Sequence, residues 1–121
     1  MSQTGAVLRS FGIRYGYYNP KNWNESRYAD PIVDTFGDLM DAMFKVAMAP
    51  DADKPAMLTA FGDGIACKVN KLAEMNLTHH GGKFIAGNKV TIGDFIMISY
   101  IECTLFNTNS PCMGPAQSTL S

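Results

Sequence analysis

The chain has 121 residues, enough for one domain that buries about two thirds of the surface its unfolded form would expose. Apolar residues make up 46% and charged residues 17%, with a net charge of -1, so a true core is available and, with no basic stripe or Lys/Arg block, nothing favours nucleic acid as a partner. The longest apolar run, around Phe95, is broken by Ser99 and Glu102 and is too short to span a membrane, and no charged start followed by an apolar stretch marks a secretory signal.

From Gln3 to Tyr15 the residues Val7, Leu8, Phe11 and Tyr15 recur at helical spacing, and Gly16 is a stop signal. Gln3 and Thr4 stand at the start of this helix as ordinary capping types. Residues 17–24 are turn-rich and aromatic, and read as a linker in which Tyr17, Tyr18 and Trp23 either pin the segment to the body or line an apolar pocket.

A long helical pattern runs from about Glu25 to Met48, with Tyr28, Ile32, Val33, Phe36, Met40, Met43, Phe44 and Ala47 on one face. Pro31 either kinks it or starts a new helix capped by Asp30. Asp30, Asp34, Asp38 and Asp41 form an acidic stripe, the ordinary sign of a solvated face.

After a turn at Ala49–Lys54, Pro55 suits an early helical position, and Met57, Leu58, Phe61, Ile65, Val69, Leu72, Met75 and Leu77 continue a helical face. Gly62 and Gly64 weaken this helix by about 1 kcal/mol each relative to Ala, and permit close packing on the preceding helix. His79, His80, Gly81 and Gly82 end it. Adjacent histidines on a turn lack the spacing of a metal site, and no Cys or acid is placed to complete one, so no metal is expected.

Thr91 and Asp94 have the spacing of a capping box, and Val90 and Phe95 that of a hydrophobic staple. The helix they start is apolar almost all round, through Phe95, Ile96, Met97, Ile98, Tyr100, Ile101, Leu105 and Phe106, which predicts burial on every side. Beyond Phe106 a polar, Gly/Pro-containing composition predicts an irregular tail. Eight methionines suit adaptable packing. Cys67, Cys103 and Cys112 show no disulfide or zinc pattern; Cys67 and Cys103 read as buried thiols, which fits a reducing cytosol, and makes the glycosylation-like triplets at Asn24 and Asn76 meaningless.

Three stretches carry a resemblance. Phe-Ile-Ala-Gly-Asn-Lys-Val-Thr-Ile-Gly-Asp-Phe (84–95) resembles the segment that opens the buried central helix of the all-helical C-terminal domain of glutathione transferases, where it serves folding. Gln3-Thr4 followed by Ala6-Val7-Leu8-Arg9 is similar to the helix ending the thioredoxin-like domain of that family, and Tyr28 to Leu39 is similar to the first helix of its helical domain. Order and spacing agree, with the sigma- and mu-like branches nearest.

The resemblance implies an all-α helical bundle divided into a remnant helix of the thioredoxin-like domain (1–16), a linker (17–24), a transferase-like helical domain (25–106) and a tail (107–121), truncated at both ends. It further implies that Gln3 and Thr4 receive the gamma-glutamyl end of glutathione. Asp34 then reaches its amino group across a dimer interface. Thr91 and Asp94 are a folding pair.

The family's thiol-activating hydroxyl lies upstream of the Gln-Thr pair, so no catalytic residue is assigned within the chain, and activity alone is not expected. Two functions follow: a non-catalytic structural or interaction module, cytoplasmic and without a cofactor, that binds a protein partner or dimerises through its acidic long helix; or a fragment of an active transferase that conjugates glutathione to electrophiles. A Cys–His nucleophile pair drawn from Cys67 or Cys103 with His79 or His80 is the weaker third choice, because sequence does not bring them together.

Overall fold

Helix signals in the sequence become helices in space, and the computed structural model describes them over residues 3–120, with the side chain of Gln3, the terminal residues 1 and 2, and Ser121 outside the described set. Helix α1 spans Gln3–Tyr15 and α2 spans Trp23–Met48. Helix α3 (Lys54–Phe61) passes through a π-helical turn at Gly62–Ala66 into α4 (Cys67–His79). Helix α5 (Ile92–Tyr100) likewise continues into a π-helical turn at Ile101–Leu105, and a short α6 covers Met113–Gln117. Apart from one isolated bridge between Phe84 and Gly87, the described residues hold no strand pairing, so the fold is all-α.

The acidic helix starts earlier than its apolar pattern suggests, because Asn22 caps it by accepting from the Glu25 N–H. It then runs through Pro31 without a break, so Asp30 caps nothing. Its buried residues are Glu25, Ala29, Ile32, Val33, Thr35, Leu39 and Val46. The face is therefore rotated in its second half: Phe44 and Ala47 point to solvent, and Val46 takes the core position.

Two apolar clusters lie along α2. Around its first half, Ile32 and Val33 pack with Tyr18, Ala73, Ile85, Ile92 and Ile96. Around its second half, Leu39 and Val46 pack with Phe61, Val69, Tyr100, Leu105, Cys112 and Ala116. The tail is thus part of the core. Asn70 donates to the carbonyl of Ala116 and to the Thr119 hydroxyl, and Gln117 donates to the carbonyl of Leu105. Gly62 packs on this tail, not on α2: a Cβ there would lie 2.9 Å from the carbonyl oxygen of Pro115. The buried thiol is that of Cys112, whose pKa burial raises, while Cys67 is half-buried and Cys103 exposed.

Helix α4 ends in a Schellman motif. Gly81, at φ 76°, donates to the carbonyl of Thr78, and Gly82 donates to that of Leu77. The loop that follows returns Ile85 to the core and delivers the chain to α5. There one carboxylate organises three donors: Asp94 Oδ2 accepts from the Thr91 backbone N–H at 2.8 Å and from its hydroxyl at 2.9 Å, and Oδ1 accepts from the Ile85 N–H at 2.9 Å. Phe95 packs edge-on against Tyr17, with ring centroids 5.1 Å apart. Helix α5 is not buried all round: Ile92, Ile96 and Tyr100 are buried, whereas Phe95 and Ile98 are open to solvent on the opposite side.

Replacing Asp94 by Ala removes three charge-assisted bonds around a fully buried Thr91, and is expected to cost about 2 kcal/mol, read as a fall of about 8 °C in Tm. Asp94→Asn is expected to lose less, because it still accepts at Oδ1.

Candidate functional site

Helix α1 meets α2 through one cation. The Arg9 Nε donates to Asp30 Oδ1 at 2.7 Å, its Nη2 donates to Asp34 Oδ1 at 2.8 Å, and the second oxygen of Asp30 accepts from the Tyr18 hydroxyl at 2.7 Å. Burial works against the Arg9 charge, but the hydrogen bonds and charges of Asp34 and Asp30 outweigh it and raise its pKa. The Tyr18 phenol is pushed upward by burial and by its bond to Asp30.

Between these helices lies a cleft of about 510 Å³, with Thr4 and Arg9 on one wall, Asp34, Asp38 and Asp41 on the other, and Phe36 and Ile96 lining it. The cleft continues into an apolar groove that shares Thr4, Phe36 and Ile96 and adds Val7, Phe11 and Phe95. Thr4 and Asp34, chosen from sequence, therefore line a single cleft within one chain. The Gln3 backbone belongs to the first turn of α1, but its side chain lies outside the described residues. Thr91 and Asp94 sit at the start of α5 and do not line the cleft.

Charge divides the cleft in two. The first turn of α1 brings the positive end of the helix dipole and the Thr4 hydroxyl to this wall, a setting for a carboxylate. The opposite wall is acidic, a setting for an ammonium group. One Asp34 oxygen is already committed to Arg9, while among the described residues Asp38 and Asp41 have neither an ion-pair nor a hydrogen-bond partner. Sequence reasoning missed Arg9, Asp38 and Asp41 as site residues: the 21- and 25-residue separations of the Arg9 contacts follow no period, and the outer aspartates looked like solvated surface. Among the described residues no group of three or more His, Cys, Asp or Glu is placed to hold a metal ion. Among the described residues no helix is long and apolar enough to cross a membrane.

Arg9→Met keeps the apolar stem and removes both ion pairs. It is expected to cost about 1–2 kcal/mol at low salt, seen as a lower urea midpoint, and less in about 1 M salt because the Asp34 pair is exposed and screened.

Comparison with known proteins identifies the family of the chain. The model of the glutathione S-transferase C-terminal domain matches residues 37–118. Glutathione S-transferase A of Cavia porcellus is 28% identical over 97 residues, covering 80% of this chain and 44% of the relative. Glutathione S-transferase A1 of Bos taurus is 26% identical over 103 residues, and that of Homo sapiens 25%, each alignment covering 83% of this chain and 46% of the relative. The chain spans less than half the length of these relatives. They are A-type transferases, whereas the motifs lean to the sigma- and mu-like branches; the family is what the two share. No solved structure matches. The helical bundle, the capping segment that opens α5 and these matches together make the chain a member of the glutathione S-transferase C-terminal domain family.

Proposed function

We propose that this chain, taken by itself, is an interaction module and not a catalyst. The observation that carries this reading is the run of large apolar side chains left open on α1 and α5: Val7, Phe11, Tyr15 and Ile98 are each more than half exposed, and Phe95 joins Val7 and Phe11 in the apolar groove. Apolar surface gathered in this way is typical of a protein interface. The occupant is a protein partner or a second copy that also engages acidic α2. A thiolate must be stabilised by a donor aimed at sulfur. The Tyr18 phenol is occupied by Asp30 and the Tyr100 phenol is fully buried, so neither is free to supply that donor. Three unpaired cysteines suit a reducing compartment, and we place the chain in the cytoplasm.

A second reading is favoured by the cleft. Its two walls match the two charges of an amino-acid terminus, and the relatives are named glutathione S-transferases. In that reading the chain is the helical part of an enzyme that conjugates glutathione to electrophiles, with Thr4 beside the gamma-glutamyl carboxylate and Asp34, joined by Asp38, beside the amino group.

Two measurements on the 121-residue chain separate these readings. In a conjugation assay with glutathione and a chloronitrobenzene, the module reading expects the uncatalysed rate, and turnover above it would overturn that reading. In an NMR titration with glutathione, the second reading expects shifts at Thr4 and along residues 34–41, weakened about tenfold by Asp38→Asn through loss of one charged hydrogen bond. Shifts confined to other faces reject it.

A further inference from the structure

A cluster of rings lies outside the cleft, where α4 ends against α2. The His80 ring stands edge-on to Tyr28 at 4.4 Å between centroids and edge-on to His79 at 4.9 Å, and His79 is 5.2 Å from Tyr28. The Arg27 guanidinium covers the Tyr28 ring at 4.8 Å. The Asn76 amide donates to the Tyr28 carbonyl, fixing the two helices to each other beneath these rings. His80 is also the C-cap of α4, and its Nδ1 faces Gly87 across the loop. Its Nε2 is buried and has no hydrogen-bond partner.

A neutral imidazole fits this place and an imidazolium does not. A charged ring carries two N–H donors, one of which would be buried at Nε2 without an acceptor. The charged groups that act on the ring are cationic from both sides: Arg27 from α2, and His79 from α4 once it holds a proton. From the loop the ring meets Gly87, which brings no charge. We infer that His80, wedged between Tyr28 and Gly87, is an acid-released latch that holds the loop of residues 81–91 against α2. That loop carries Ile85, whose N–H reaches Asp94, and Lys89, which pairs at 2.8 Å with the buried Glu25 carboxylate. Opening the latch therefore frees the whole connection between α4 and α5.

The pH window follows from the direction of the shift. Burial first, then His79 and Arg27, hold His80 below its ordinary 6.5 in the folded protein. The unfolded loop takes up the proton more readily, so the latch is fully effective above about pH 6.5 and weakens as pH falls from there through the folded-state value.

Hydrogen exchange tests this on the full chain between pH 7.5 and 5, with protection corrected for intrinsic rates. Protection of the Ile85 and Thr91 amides is expected to fall about tenfold per pH unit below 6.5 until the folded form itself binds the proton, while Val33 and Leu39 in α2 keep theirs. His80→Phe keeps a ring against Tyr28 but cannot bind a proton, and is expected to abolish the fall. Loop protection that ignores pH, or an undiminished fall in His80→Phe, overturns the proposal. Should that variant not fold, Arg27→Gln is expected to make the fall shallower, and an unchanged slope counts against the latch. NMR titration of the wild-type His80 ring decides independently: a midpoint below 6.5 supports it, and one at or above 6.5 rejects it.

Discussion

The Asp94 carboxylate is the constraint on which the remaining structure depends, because it is bonded to two separated pieces of backbone at once. Its bonds to Thr91 set the first turn of α5, and its bond to Ile85 fixes the loop that precedes that turn. The position of Ile92 follows, and the Ile92 N–H then donates to the Tyr17 carbonyl at 3.1 Å, tying the linker to the same point. A cap of this kind is worth about 1–2 kcal/mol, less than the burial of Ile32, Leu39, Ile85 and Ile92 together at about 1.5–3 kcal/mol each. Burial supplies most of the stability; the carboxylate decides which residues are buried.

The attachment of α1 illustrates the same division. Close approach is permitted by Gly12, where a Cβ would fall 2.6 Å from Ile92 Cγ2 and 2.7 Å from Tyr18 Cβ. Both Tyr17 and Tyr18 donate to its carbonyl, which turns the chain sharply after the helix. Arg9 then sets the rotation of α1 by fastening it to Asp30 and Asp34. That rotation is what leaves Val7 and Phe11 open and puts Thr4 at the mouth of the cleft.

Local devices were legible in the sequence and tertiary ones were not. The Thr91–Asp94 spacing, the Gly81–Gly82 stop and the long period along α2 each depend on residues a turn or two apart. The core register at Val46, the Arg9 bridge and the docked tail depend on partners far along the chain. The tail is the clearest case: Met113–Gln117 has weak helix signals of its own, and its order comes from Asn70, Leu105 and Gly62. The two π-helical turns lie beneath that tail, and nothing in the sequence of Gly62–Ala66 or Ile101–Leu105 distinguishes them from α-helix. As isolated residues Thr4 and Asp34 are a cap and a surface charge, and only the family resemblance singles them out; that they line one cleft depends on the packing of α1 on α2.

The acidic stripe on α2 combines both kinds of role. Asp30, Asp34, Asp38 and Asp41 oppose the helix by about 0.2–0.5 kcal/mol for each like-charged neighbour. Arg9 compensates the first two within the fold, and the last two keep their repulsion and face the cleft. A second copy laid directly along this stripe would set Asp38 and Asp41 against their own counterparts, which costs affinity instead of adding it. An α2-to-α2 contact therefore needs an offset that brings the exposed Phe44 and Met48 together, or a cation between the carboxylates. The same two charges that make the cleft attractive to an ammonium group thus limit how two copies can meet.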